Sequence, residues 1–237
     1  MTMLRNLSVL VISLGLSAAA TAAPAQPLEG RTLPALRLAY SGELTAQREY
    51  AACAVRAEEE GWLGVRDLYL ALADAEARHA ERHARMLEAM GETPGTDVPA
   101  PVVGTTRENL ARAFSAERAE RRVRYTKLAD AVRPDLAYDV LASLNWCAAA
   151  EATHARALAQ VHESLADYAA PHRWYVCADC GCVHGSKTDG HCACGTSGEH
   201  AVAIGGDEAS DRQPQPVAAP LVAWDEDEIA KAFALMP

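Results

Sequence analysis

The sequence predicts an all-α protein: a four-helix bundle followed by a small cysteine-rich module. Three observations carry that expectation. Four long stretches place apolar residues at helical spacing, the second pair of stretches repeats the first, and five of the seven cysteines fall between Cys177 and Cys194. The 237 residues leave room for one domain with a real core plus a small module. Aromatics are only 5% and alanine is abundant, which favours close-packed helices over a β-sandwich or barrel. The net charge of −10 lacks the basic footprint of a nucleic-acid binder, so DNA and RNA partners are excluded. Eight histidines and seven cysteines in so acidic a chain point instead to cations, provided they cluster.

Residues 1–23 read as an export signal. Arg5 precedes the apolar run Leu7–Leu16, and Ser17–Ala23 supplies small residues with Ala20-Thr21-Ala22 as a cleavage option. The run is shorter than the ~20 residues of a comfortable membrane span. The expected location is therefore outside the cytoplasm, in the periplasm. The bundle is expected over 32–170. A first helix runs from Leu33 to Glu60 and stops at Gly61, and a second runs from Trp62 to Met90 and stops at Gly91. Residues 92–104 hold three prolines and two glycines and break the pattern. Thr105 and Glu108 then form a capping box for a third helix reaching about Val132. Pro134 suits the first turn of a fourth, which ends near Tyr168. Short links join one to two and three to four, and the long middle link is a crossover. A cysteine module follows over 172–203. Residues 204–237 read as a linker and acidic tail, in which Trp224, Ile229, Phe233 and Met236 would mark a short helix.

Leu38-Ala39-Tyr40-Ser41-Gly42-Glu43 matches Arg112-Ala113-Phe114-Ser115-Ala116-Glu117 at an offset of 74. Glu76-x-x-His79 matches Glu151-x-x-His154 at an offset of 75, as Tyr50 matches Tyr125. Two hairpins packed about a pseudo-twofold axis would bring these groups together. Glu and His three residues apart share one helix face, and two such pairs plus a Glu from each other helix form the carboxylate site of ferritin-like di-iron and di-manganese proteins. A single Glu-x-x-His on a charged helix is usually a solvated face, and Glu81, Arg82, His83 and Arg85 read that way. Glu151 and His154, by contrast, follow the mostly apolar run Asn145–Ala150. Carboxylates can bridge two cations, and neutral imidazoles suit iron. Cys147, four residues before Glu151, reads as a small buried apolar residue, with a redox role as the alternative.

On these residues the chain resembles the rubrerythrin family, from about Leu33 to Gly195. The resemblance implies a ferritin-like di-iron bundle with a C-terminal rubredoxin-like domain. Glu120, three residues after Glu117, has only Ala46 opposite it in the first repeat. In the family that extra carboxylate exchanges with the histidine of helix two on reduction, which makes Glu120 and His79 the swapped pair. Tyr50 and Tyr125 match the tyrosines that hydrogen-bond the carboxylates.

Trp174-Tyr175-Val176-Cys177-Ala178-Asp179-Cys180-Gly181 looks like the first knuckle of a rubredoxin-like domain. The second reads His191-Cys192-Ala193-Cys194-Gly195, where the position three before Cys194 is His191 rather than Cys. The fourth ligand is thus His191, Cys192 or Cys182, a position that is usually aromatic in the family. Four thiolates hold a one-electron iron centre, while three thiolates and an imidazole are common for structural zinc. Export also leaves disulfides open.

The resemblance implies a peroxidase that reduces hydrogen peroxide to water at two irons, with electrons relayed from one iron, or zinc, at the cysteine site. In the family the relay crosses between subunits of a homodimer. The electron donor is unknown, since a cytosolic nicotinamide carrier would be out of reach after export. The alternative is a ferritin-like ferrous oxidase or metal-binding protein with structural zinc. A third option is a sensor whose cysteine knuckle is oxidised by peroxide.

Overall fold

The computed structural model describes residues 30–186, 192, 194 and 200–206. The signal segment, His191 and the C-terminal tail lie outside them. Helices α1 (Thr32–Glu59) and α2 (Leu63–Ala89) form the first hairpin. Both stop where predicted, at Gly61 and Gly91, which take positive φ of 79° and 85° as helix C-caps commonly do. The capping box is present, with Thr105 and Glu108 bonded reciprocally at the start of α3 (Thr106–Ala119).

The third helix is not continuous as expected. A five-residue π-helical segment, Glu120–Arg124, separates α3 from α4 (Tyr125–Val132). The cause is in the repeat itself, because the offset between the halves changes from 74 to 75 across this stretch. One inserted residue is absorbed as a π-bulge, a device often found at functional sites. The fourth helix, α5, runs over Tyr138–Glu163 rather than from Pro134. Pro134 lies in a 3-10 turn, Arg133–Asp135, closed by Leu136 at φ 56°. A second 3-10 turn, Leu165–Tyr168, follows α5. Asp135 in the earlier turn caps α1 from afar: its Oδ2 accepts from the Arg31 and Thr32 backbone N–H groups at 3.0 and 2.9 Å and from the Thr32 hydroxyl at 2.7 Å.

The bundle interior is apolar at both ends and polar between. One cluster gathers Leu68, Leu72, Leu110, Leu158 and Val161, the other Leu36, Leu44, Leu87, Leu128 and Leu144. In the module, β1 (Trp174–Cys177), β2 (Val183–His184) and β3 (Ala201–Ile204) form an antiparallel sheet in the order β2-β1-β3. It packs on the bundle through Trp174, fully buried beside Tyr168 and His172. Buried Asp67 of α2 pins both ends, its Oδ2 accepting from the His172 and Gly206 N–H groups at 3.0 and 3.2 Å. No described helix is long and apolar enough to cross a membrane.

Candidate metal centres

Each helical arm of the bundle sends its acidic residues into the layer between the two apolar clusters. Glu43 comes from α1, Glu76 and His79 from α2, Glu117 from α3, and Glu151 and His154 from α5; all are buried to within 1%. They form two sets, Glu43–Glu76–His79–Glu151 and Glu76–Glu117–Glu151–His154, in each of which the donor atoms lie within 4.8 Å of one another. Glu76 and Glu151 belong to both. The two sets mirror each other. His79 Nδ1 is 2.9 Å from Glu76, 3.4 Å from Glu151 and 3.8 Å from Glu43. His154 Nδ1 is 2.8 Å from Glu151, 3.2 Å from Glu76 and 3.5 Å from Glu117.

The other nitrogen of each ring decides its tautomer. His79 Nε2 lies 2.9 Å from the Cys180 carbonyl oxygen and His154 Nε2 2.9 Å from that of Gly181. A carbonyl only accepts, so both Nε2 atoms carry protons, and a neutral ring then aims its Nδ1 lone pair at carboxylates. That arrangement needs a proton or a cation on each Nδ1. Oxygens of Glu43, Glu76, Glu117 and Glu151, with His154 Nδ1, are buried without a hydrogen-bond partner among the described residues. Such an array is costly unless cations satisfy it, and carboxylates with imidazoles suit iron and manganese.

Proton affinities carry the same strain. Burial, reinforced by Glu76, pushes Glu43 well above the usual carboxylate range, and burial with Glu76 and Glu117 does the same to Glu151. Glu76 goes the other way: although burial opposes it, His154 and His79 hold it down. Burial works to lower both histidines, but Cys147, Glu43 and Glu76 push His79 up, and Glu151, Glu117 and Glu76 push His154 up. Cations entering here would displace protons.

Tyr50 donates to Glu117, as the resemblance implied. Tyr125 does not match it. Its hydroxyl is buried without a hydrogen-bond partner among the described residues; Tyr125 is the eighth residue after Glu117 where Tyr50 is the seventh after Glu43, the extra one being taken up in the π segment. Glu120, the first residue of that segment, pairs with Arg124 and belongs to neither four-residue set. Burial raises it to about 7, against the pull of Arg124. A cavity of about 420 Å³ opens over Glu120 and Tyr50, bordered by Gly42, Glu49, Arg112 and Arg124.

In the module, Cys177, Cys180, Cys192 and Cys194 converge with their sulfurs within 4.8 Å of one another. Cys192 thus joins the other three, while His191 lies outside the described residues. Cys180–Cys192 and Cys177–Cys194 are 3.3 and 3.8 Å apart, well beyond a disulfide bond of ~2.05 Å. Cys182, fully buried, instead groups with His184 and Cys192. Gly181 sits at φ 76°, and a Cβ there would fall 2.5 Å from His79 Nε2. Its lack of a side chain lets the knuckle touch the histidines.

Two findings escaped sequence reasoning. His83, expected on a solvated face, is fully buried with Nε2 3.7 Å from Cys147 Sγ. Burial, with the positive charges of His79 and Arg82, lowers it to about 3, so the ring is neutral; burial pushes the Cys147 thiol up to about 12. Spacing carried the signal, since His83 is four residues after His79, one turn further along the same face. Asp67 gave no sequence signal, because the groups that its Oδ2 anchors are backbone N–H groups more than a hundred residues away; its Oδ1 takes the neighbouring Arg66.

The rubrerythrin family model matches residues 35–107 and 108–171. A rubrerythrin of Porphyromonas gingivalis is 28% identical over 156 residues, covering 64% of this chain and 78% of the relative. One of Nitratidesulfovibrio vulgaris is 26% identical over 161 residues, covering 65% and 83%. Among solved structures, nigerythrin in its fully reduced, all-ferrous state superimposes with a TM-score of 0.68 at 22% identity, covering 79% of this chain and 91% of that one. A bacterioferritin of Mycobacterium tuberculosis gives 0.52 at 20% identity, covering 57% and 86%. Both structural likenesses speak to the fold.

Proposed function

The chain belongs to the rubrerythrin family, whose membership supports a di-iron protein, and from that premise we propose that it is a peroxidase reducing hydrogen peroxide to water. The observation that carries the reading is the pair of mirrored carboxylate–histidine sets sharing Glu76 and Glu151. Two ferrous ions held there would supply both electrons that peroxide needs to become two waters. Glu43 and His79 would hold one ion, Glu117 and His154 the other, with Glu76 and Glu151 between them. Tyr50, by donating to Glu117, fixes that carboxylate's orientation. Glu120, paired with Arg124 at the edge of the cavity, would leave that pair to approach an ion or to accept a proton from substrate entering over Tyr50.

The same reading assigns the four-cysteine cluster to an electron relay. The peptide Cys180–Gly181 carries one of the clustered thiols and accepts hydrogen bonds from both His79 and His154, so the two centres are joined by one short covalent and hydrogen-bonded path within a single chain. Iron at the cysteine site is needed for such a relay; zinc there would cut it. Homodimerisation, export to the periplasm and an external electron donor belong to the same proposal.

The test is to reduce the iron-loaded full chain and mix it with hydrogen peroxide or dioxygen, with iron and zinc counted per chain beforehand. Reaction much faster with peroxide, at three irons per chain, supports the peroxidase. Preference for dioxygen with ferric mineral formation, at two irons and one zinc, overturns it in favour of a ferrous oxidase.

A further inference from the structure

The layer of mirrored carboxylates and histidines is sealed differently at its two ends. One turn beyond it on one side lie Leu72, four residues before Glu76, and Leu158, four residues after His154; both are fully buried in an apolar cluster. The positions that the repeat makes equivalent to them, at the same offset of 75 that relates Glu76 to Glu151, are Cys147 and His83. Both are likewise fully buried. The fold thus seals one end with two leucines and shows that the position needs nothing else, yet the other end carries a thiol and an imidazole.

Packing does not explain that difference. Burying an imidazole is costly unless its nitrogens find partners, and His83 Nδ1 has no hydrogen-bond partner among the described residues. Among the described residues, the hydrogen-bond partner of His83 Nε2 is the Cys147 sulfur, at 3.7 Å. Glu43 closes the group: donor atoms of Glu43, His83 and Cys147 all lie within 4.8 Å of one another. We infer that these three residues form a third cation site, stacked one helical turn from the binuclear layer and joined to it through the Glu43 carboxylate.

The donor set names the chemical class. A thiolate, an imidazole and a carboxylate together suit a borderline divalent transition ion, zinc or ferrous iron, and disfavour magnesium or calcium, which take oxygen. The thiol gives up its proton on binding and supplies the negative charge that a buried dication requires. The site is asymmetric by construction, since the leucines opposite provide no donor. It would draw its three ligands from α1, α2 and α5.

The test is cobalt(II) added to the metal-free full-length chain, with the bound ions counted and located by anomalous diffraction. The wild-type protein is expected to show a cobalt peak among Glu43, His83 and Cys147. Cys147→Leu and His83→Leu, which install the residues of the opposite end, are each expected to bind one ion fewer per chain and to lose part of the sulfur-to-cobalt charge-transfer absorption. Cys147→Ser, close in volume, should lose that absorption without repacking. Wild-type crystals with cobalt in the layer and at the cysteine cluster but none at this position would overturn the inference, whatever the variants do. None of these readouts involves peroxide, so the outcome is separate from that of the peroxidase reading.

Discussion

The Gly181 carbonyl accepts from His154 Nε2 at 2.9 Å, while the Gly181 Cα lies so near the other histidine that a Cβ would fall 2.5 Å from His79 Nε2. One residue of the cysteine knuckle therefore sets the tautomer of one candidate ligand and packs on the second. Gly181→Ala should destabilise the chain by at least about 1–2 kcal/mol from its positive φ alone. A second effect should accompany it: the knuckle must retreat from the layer, so electrons placed on the cysteine centre should reach the bundle more slowly. Thermal unfolding reads the first effect and rapid-mixing spectroscopy the second. Unchanged transfer in a destabilised variant would remove this contact from the relay.

Glu120 makes the metal-free protein sensitive to pH. Its carboxyl is raised to about 7 by burial, from an ordinary value near 4.5. Between those values the folded chain holds a proton that the unfolded chain has released, so stability falls as pH rises through the window. Glu120→Gln should flatten that slope and raise the melting temperature of the metal-free protein at pH 8. The same variant should weaken metal binding when iron is added. Calorimetry across pH 4–8 checks the first, and a slope identical to wild type would count against it.

Asp67 fastens the module to α2 through two backbone N–H groups that flank the sheet. Asp67→Ala should cost about 2–3 kcal/mol, since hydrogen bonds to a buried carboxylate are stronger than neutral ones. Limited proteolysis should then cut near residues 169–173, while the binuclear layer keeps its metal. A variant as resistant as wild type would show that Trp174 alone is enough to dock the sheet.

Asp135 stands in for an N-cap that Arg31 does not provide. Asp135→Ala should lose about 1–2 kcal/mol. Bonds to Thr32 and Arg31 hold this carboxyl below the usual Asp range despite partial burial. Its contribution is therefore complete above that range and fades as pH falls through it. Unfolding midpoints of wild type and variant should accordingly converge in acid and separate at neutral pH.

Much of this was legible in the sequence because the repeat did the reading. Glycines 61 and 91, the Thr105–Glu108 box and two Glu-x-x-His pairs are local signals, and each lies where it was expected. The π segment was encoded too, as the step from 74 to 75 in the repeat offset, but a helical pattern alone smooths over one extra residue. Tyr125 matches Tyr50 by alignment, yet of the two only Tyr50 bonds a carboxylate among the described residues. His83 was misread because charged neighbours on either side resemble a solvated face, although its spacing from His79 placed it inward. Asp67 and Asp135 could not be found, since each serves backbone groups of segments more than a hundred residues away, which no local pattern announces.

The cap on α1 also bears on the order in which the chain can finish folding. Asp135 and Arg31 are 104 residues apart. During synthesis the first hairpin emerges whole while the N–H groups of its opening turn are left to water, and their carboxylate partner arrives only with the turn leading into α5. Contacts of such long range form late. The first hairpin, with its half of the acidic layer, therefore gains its N-terminal cap only once the second has docked.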